Sequence, residues 1–165
     1  MPFPLLGHNR DYAYGLTMLA NDDLNFYIEK NNPDNANQYK TIDGFKDYEI
    51  RTKTIKIKDE KDTTFQVKVS KHGPIMNGLN RNISDDRPIA MNWMYTYLEN
   101  EMLNVAHGIS HAKSLENFRA SVAKIHAPGL NVMYGDAKDN IAWFAAAKLY
   151  QLRDSVSSKT YLDGA

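Results

Sequence analysis

Period-two alternation is the plainest pattern in this chain. In "TIKIKDEKDTTFQVKVS", Ile55, Ile57, Phe65, Val67 and Val69 are apolar, whereas Lys56, Lys58, Gln66 and Lys68 between them are polar. With a charged turn in the middle, this predicts a half-solvated antiparallel hairpin. Upstream, Tyr12 to Leu19 and Leu24 to Glu29 read as strands, and the "ANDD" between them, rich in turn formers, predicts that they pair as a hairpin. "NNPDNANQ" reads as a loop by composition, after which "YKTI" and "YEIRTKTIKIK" resume a β pattern around an Asp43-Gly44 turn.

The pattern changes in the second half. A loop dense in Gly, Pro, Asn and Asp, "HGPIMNGLNRNISDDRP", precedes "IAMNWM", a strand, and "YLENEMLNVAHG", a short helix ending near Gly108. Ser114 is placed to cap a second helix in which Leu115, Phe118 and Val122 recur at spacings of three and four, with Pro128-Gly129 marking its end. "LNVMYGDAKDNIAWFAAAKLY" then gives two strands about a turn, both apolar enough to be covered on two faces. The sum is an α+β chain, mainly antiparallel sheet with one or two short helices. No repeat or linker divides it, so 165 residues are expected to form a single domain.

Charge and composition remove whole classes of function. Twenty basic residues balance twenty acidic ones, leaving no net field to hold nucleic acid or an anionic membrane surface. The absence of cysteine excludes disulfides, thiolate metal sites and a Cys nucleophile, and leaves the compartment open. No apolar run approaches the roughly 20 residues of a membrane span. His107 and His111 have the i, i+4 spacing of two metal ligands on one helix face, without the Glu of an HExxH motif or an evident third ligand. Asp22-Asp23 offers oxygen ligands, although a solvated turn is the plainer reading.

The order of several stretches carries more information than any one of them. "LLGHNRDYAYGLTMLANDDLNFYIEK", a charged hairpin, "VSKHGPIMN" and "GLNVMYGDAKDNIAWFAAAKL" follow one another, and over nearly the whole chain this series resembles the β-chain of the penicillin acylase family of N-terminal nucleophile hydrolases. The resemblance implies part of an αββα sandwich and amide hydrolysis by a Ser, Thr or Cys at a new N-terminus, with its own α-amino group as base. It implies an oxyanion hole made by the main-chain N–H of Met18 and the side-chain amide of Asn131. Read from residues alone, Met18 is a core methionine and Asn131 is equally well a structural amide. An Arg of the family aligns with Arg153 after a one-residue offset. Calcium ligands of the family fall on Asp22, the main-chain carbonyl of Leu24, and Asn25, where the amide removes one negative charge and weakens the ion site.

The six residues before Gly7 contain no Ser, Thr or Cys, and the expected nucleophile is therefore missing. The chain is expected to be a fragment, inactive alone, whose parent hydrolyses the N-acyl amide of a β-lactam, an acyl-homoserine lactone or a similar small molecule. Its expected partners are the remainder of the acylase α- and β-chains. Open sheet edges imply self-association, and the family implies a periplasmic or secreted location. The competing expectation is a non-catalytic β-rich binding or structural module.

Overall fold

The computed structural model describes residues 3–165, so the Met1-Pro2 start, considered above for the nucleophile, lies outside the described residues. In chain order the elements are β1 (Gly7–His8), β2 (Tyr12–Met18), β3 (Leu24–Ile28), β4 (Asn31–Asn32), β5 (Asn35–Thr41), β6 (Gly44–Asp47), β7 (Glu49–Ile55), β8 (Thr63–Ser70), β9 (Gly73–Pro74), β10 (Ile89–Trp93), α1 (Met102–Ser110), α2 (Leu115–Val122), β11 (Leu130–Asp136), β12 (Ile141–Ala146) and β13 (Leu162–Asp163). The chain is an α+β structure of mainly antiparallel sheets, as expected, and among these strands the short β13 pairs parallel, with β3. Contacts divide it into two compact units, one formed by residues 1–23 and 94–151 and the other by 24–93 and 152–165.

The first unit is a four-stranded sheet in the order β1-β2-β11-β12, with both helices among its core. Alternation aims Tyr12 and Tyr14 of β2 and Val132 and Tyr134 of β11 into that core, where they meet Val105 and Ile109 of α1 and Phe118 and Val122 of α2. Each helix contributes an i, i+4 pair, the narrow apolar stripe of a short surface helix. Ser114 Oγ accepts the Asn117 N–H at 3.2 Å, the expected N-cap. The first helix differs from expectation, since it starts at Met102 and runs through Gly108 to Ser110. The reason is packing: a Cβ on Gly108 would lie 2.3 Å from Ser121 Oγ, so this glycine lets α1 and α2 approach and does not end the helix. Entry to β2 is set by Asn9, whose Oδ1 accepts the N–H groups of Asp11 at 2.8 Å and Tyr12 at 2.9 Å.

The second unit contains three small sheets, β10-β3-β13, β4-β5-β6 and β7-β8-β9. Tyr39, Tyr48, Ile75 and Ala90 form its core, with Tyr27 packed against it. Beside them Glu29 is fully buried, its Oε1 2.9 Å from His72 Nδ1, and the imidazole stacks on Tyr27. The hairpin of β7 and β8 forms in continuous register from Glu49↔Val69 to Ile55↔Thr63, but β7 is exposed along its whole length. Alternation therefore specified the pairing without a covering layer for either face of that strand.

Two further expectations are corrected. The predicted hairpin of β2 with β3 does not form: β2 pairs with β1 and β11, and β3 with β10 and β13. Turn residues between strands permit a reversal but do not choose the partner, and long-range pairing prevails here. "NNPDNANQ" is also not a loop, since Pro33-Asp34 is a tight turn between β4 and β5 and the polar Asn35–Gln38 run is strand.

Candidate functional site

The predicted hairpin of β11 and β12 forms in register from Gly135↔Ile141 to Leu130↔Ala146, and β11 pairs along its other edge with β2. One face of these strands belongs to the helix-packed core. The opposite face carries Ala13, Gly15 and Thr17 of β2, Asn131 and Met133 of β11, and Ile141, Trp143 and Ala145 of β12. Two-sided cover was expected, yet Ile141 is 88%, Trp143 67% and Met133 42% exposed. Nothing among the described residues of this unit buries them. The space above Gly15 is equally open: a Cβ placed there would have Met133 Cε as its nearest neighbour, at 4.0 Å.

Asn131 sits at the end of this face, and the structure brings it to Met18. In the β2·β11 register Leu130 opposes Met18 and Asn131 opposes Thr17. The Asn131 Nδ2 group donates to the Met18 carbonyl at 3.1 Å, and its Oδ1 accepts the indole N–H of Trp143 at 3.0 Å. An indole nitrogen can only donate and a carbonyl can only accept, so these two partners fix which end of the amide is which. Nδ2 carries two hydrogens and Met18 takes one, which leaves a second for a further acceptor. The Met18 side chain is 68% exposed, which replaces the core-methionine reading with that of a surface side chain at a strand end.

Trp143 was not among the residues expected here. It opposes Met133, two positions along from the Asn131 pair, and so is a diagonal cross-strand neighbour of Asn131 on the same face. The period-two pattern and the short turn contain that relationship, but they do not say which diagonal pairs bond.

The turn that sets the hairpin register is held by Asp136. Its Oδ1 accepts the N–H groups of Lys138 at 2.9 Å and Asn140 at 3.0 Å, and the Asn140 side-chain amide bonds both carboxylate oxygens. These donors, the Asn140 amide first, hold the Asp136 carboxyl down at about 2. Tyr134, which donates to the same carboxylate at 3.1 Å, is pushed up to about 12, chiefly by burial.

The remaining expected residues are not gathered at this face. Arg153 is an exposed residue of the second unit, its carbonyl accepting the Val156 N–H at 2.8 Å in an irregular stretch. Asp22 lies in the first unit, whereas Leu24 and Asn25 open β3 of the second. One carboxylate, one carbonyl and one neutral amide fall well short of the six to eight oxygens that Ca²⁺ takes, so this donor set alone does not fit the ion. No cluster of three or more acidic or histidine side chains able to hold a metal occurs among the described residues. His107 and His111 stack on each other with ring centroids 4.2 Å apart, a ring contact and not a chelating pair. An apolar cleft of about 40 Å³ between Tyr14, Leu16, Val105, Ile109 and Leu130 lies on the helix side of the sheet and is far too small for an acyl chain.

Comparison with known proteins agrees with the order of motifs. Residues 1–165 match the family model described as penicillin amidase. The chain is 26% identical over 152 residues to the acyl-homoserine lactone acylase QuiP of Pseudomonas aeruginosa, a match covering 87% of this chain and 18% of that protein. A thermostable penicillin G acylase from Alcaligenes faecalis has the same fold over 99% of this chain and 29% of its own, with a TM-score of 0.87 at 23% identity. The chain thus spans less than a third of each of these two proteins.

Proposed function

This chain belongs to the penicillin amidase family, and from that premise we propose that it is the part of an amidohydrolase that supplies the oxyanion hole. The reaction is hydrolysis of a linear amide on a small N-acyl substrate, such as a β-lactam side chain or an acyl-homoserine lactone. The observation that carries this reading is the Asn131 amide, held by Met18 and Trp143 with one N–H to spare. In the proposed mechanism the nucleophile and the base come from other parts of the protein, because neither role is assigned to a residue here. Attack on the amide carbonyl places a negative charge on oxygen, and the free Nδ2 hydrogen of Asn131 together with the Met18 main-chain N–H receives it. Both donors sit on paired strands, so little reorganisation is needed as the charge develops. The exposed Met133, Trp143 and Ile141 then form one wall of the acyl site, and the remaining acylase chains complete it.

Arg153 is a further proposed contact near the nucleophile, and a periplasmic or extracellular location follows from the same reading. No helix among the described residues is long and apolar enough to cross a membrane. Calcium has no part in any step above. Open strand edges such as the exposed β7 are proposed routes of self-association when these residues stand alone.

The test is to express the full-length protein, identify its mature N-terminal residues by mass spectrometry, and assay a panel of N-acyl amides including phenylacetyl and acyl-homoserine lactone substrates. Turnover of at least one, with a Ser, Thr or Cys at a processed N-terminus, is expected. A protein that shows neither processing nor turnover across the panel would contradict the proposal and leave a binding or structural role.

A further inference from the structure

We infer that Trp143 is a positioning residue that sets the orientation of the Asn131 amide for catalysis. The inference rests on the oxyanion reading of Asn131 and deepens it.

Asn131 is not held by its backbone alone. The torsion that turns a side-chain amide end for end is broad and two-fold, so an amide with one weak anchor has two accessible orientations. In one, Nδ2 faces the incoming oxyanion. In the other, Oδ1 faces it, placing an acceptor against developing negative charge. Two contacts choose between them: the Met18 carbonyl accepts from Nδ2 at 3.1 Å, and the Trp143 indole N–H donates to Oδ1 at 3.0 Å. Both contacts reject the flipped amide, the carbonyl because it cannot donate and the indole N–H because it cannot accept, and Trp143 is the one of the two that a side-chain substitution can remove.

The placement of the indole supports a role beyond packing. Trp143 is 67% exposed, and its neighbours across the hairpin are Met133 directly and Asn131 diagonally. Its nitrogen donates to Asn131, a polar side chain on the same face. The same bond polarises the amide, drawing electron density toward Oδ1 and strengthening Nδ2–H as a donor.

Trp143→Phe keeps an aromatic ring on an exposed site but removes the indole N–H together with the second ring, so the fold is expected to survive and the comparison between backgrounds isolates the part that acts through Asn131. Kinetics should be measured on the full-length protein, per active site titrated by acylation burst, for wild type, Trp143→Phe, Asn131→Ala and the double variant. The expected result is a kcat for Trp143→Phe lower by about three- to ten-fold, the rate equivalent of one ordinary hydrogen bond; KM is free to change as well, because Trp143 also lines the proposed acyl site. In the Asn131→Ala background the same substitution should change kcat less than about two-fold, because the group it positions is gone. A structural role would instead lower the titrated active fraction or act equally in both backgrounds. An unchanged kcat in Trp143→Phe, or equal losses in the two backgrounds, would overturn the inference while Asn131→Ala still loses ten-fold or more. A loss below ten-fold for Asn131→Ala would sink the oxyanion reading and this inference together. Absence of turnover in the wild type would remove the amidase proposal itself.

Discussion

Phe118→Ala tests the platform on which the site is built. Phe118 is 0% exposed on α2, and its ring lies 4.8 Å from Tyr134, 5.7 Å from Tyr12 and 5.7 Å from Tyr14, measured between centroids. These tyrosines belong to β2 and β11, the two strands that carry Met18 and Asn131. Truncation removes the transfer energy of a fully buried phenyl group and leaves a cavity whose rim is rigid sheet and helix, for which large-to-small data give about 3–5 kcal/mol. Loss of the tilted and edge-on ring contacts favours the upper half of that range. Against a domain stability of roughly 5–15 kcal/mol this is a severe loss. The assay is urea unfolding of these 165 residues in a Trp93→Phe background, which leaves Trp143 as their one tryptophan, reporting on the first unit, with circular dichroism as the second probe. A companion Phe118→Leu, which keeps most of the apolar volume, should cost about 1–2 kcal/mol. A change below about 1 kcal/mol for Phe118→Ala would refute the account of this core.

Two smaller predictions concern the turns at either end of the sheet. Asn9→Ala removes the acceptor of two main-chain N–H groups and should cost about 1 kcal/mol in the same urea assay, with Asn9→Asp retaining most of it. Asp136 has its folded pKa depressed to about 2 from the usual 3.8, so its contribution to stability is fully present above about pH 4 and is lost as pH falls toward 2. The melting temperature of the wild type should therefore drop more steeply between pH 4 and pH 2 than that of Asp136→Asn. Parallel curves would show that the turn hydrogen bonds do not depend on the ionised carboxylate.

Much of this architecture was legible in the residues because it depends on short-range chemistry. The β7–β8 and β11–β12 hairpins follow from alternation around a turn, and α2 from a capping serine and an i, i+4 pair. What was not legible depends on distant partners. "ANDD" permits a reversal of the chain, yet β2 finds its neighbour more than a hundred residues away in β11. Gly108 reads as a helix end until Ser121 of the second helix is seen against it. At the site, Met18 and Asn131 were reached through the family's motif order, since a methionine and an asparagine on strands carry no chemistry by spacing alone. Trp143 escaped notice because its role is a side-chain hydrogen bond across a diagonal, which period and register allow but do not require.

If the Asn131 amide stabilises an oxyanion, Asn131→Ala in the full-length protein must lose turnover. Per titrated active site, on the best substrate of the panel, kcat is expected to fall by about 10²–10³, the usual contribution of one oxyanion donor, with a smaller change in KM. A loss below about ten-fold in a variant that processes and folds normally would contradict it.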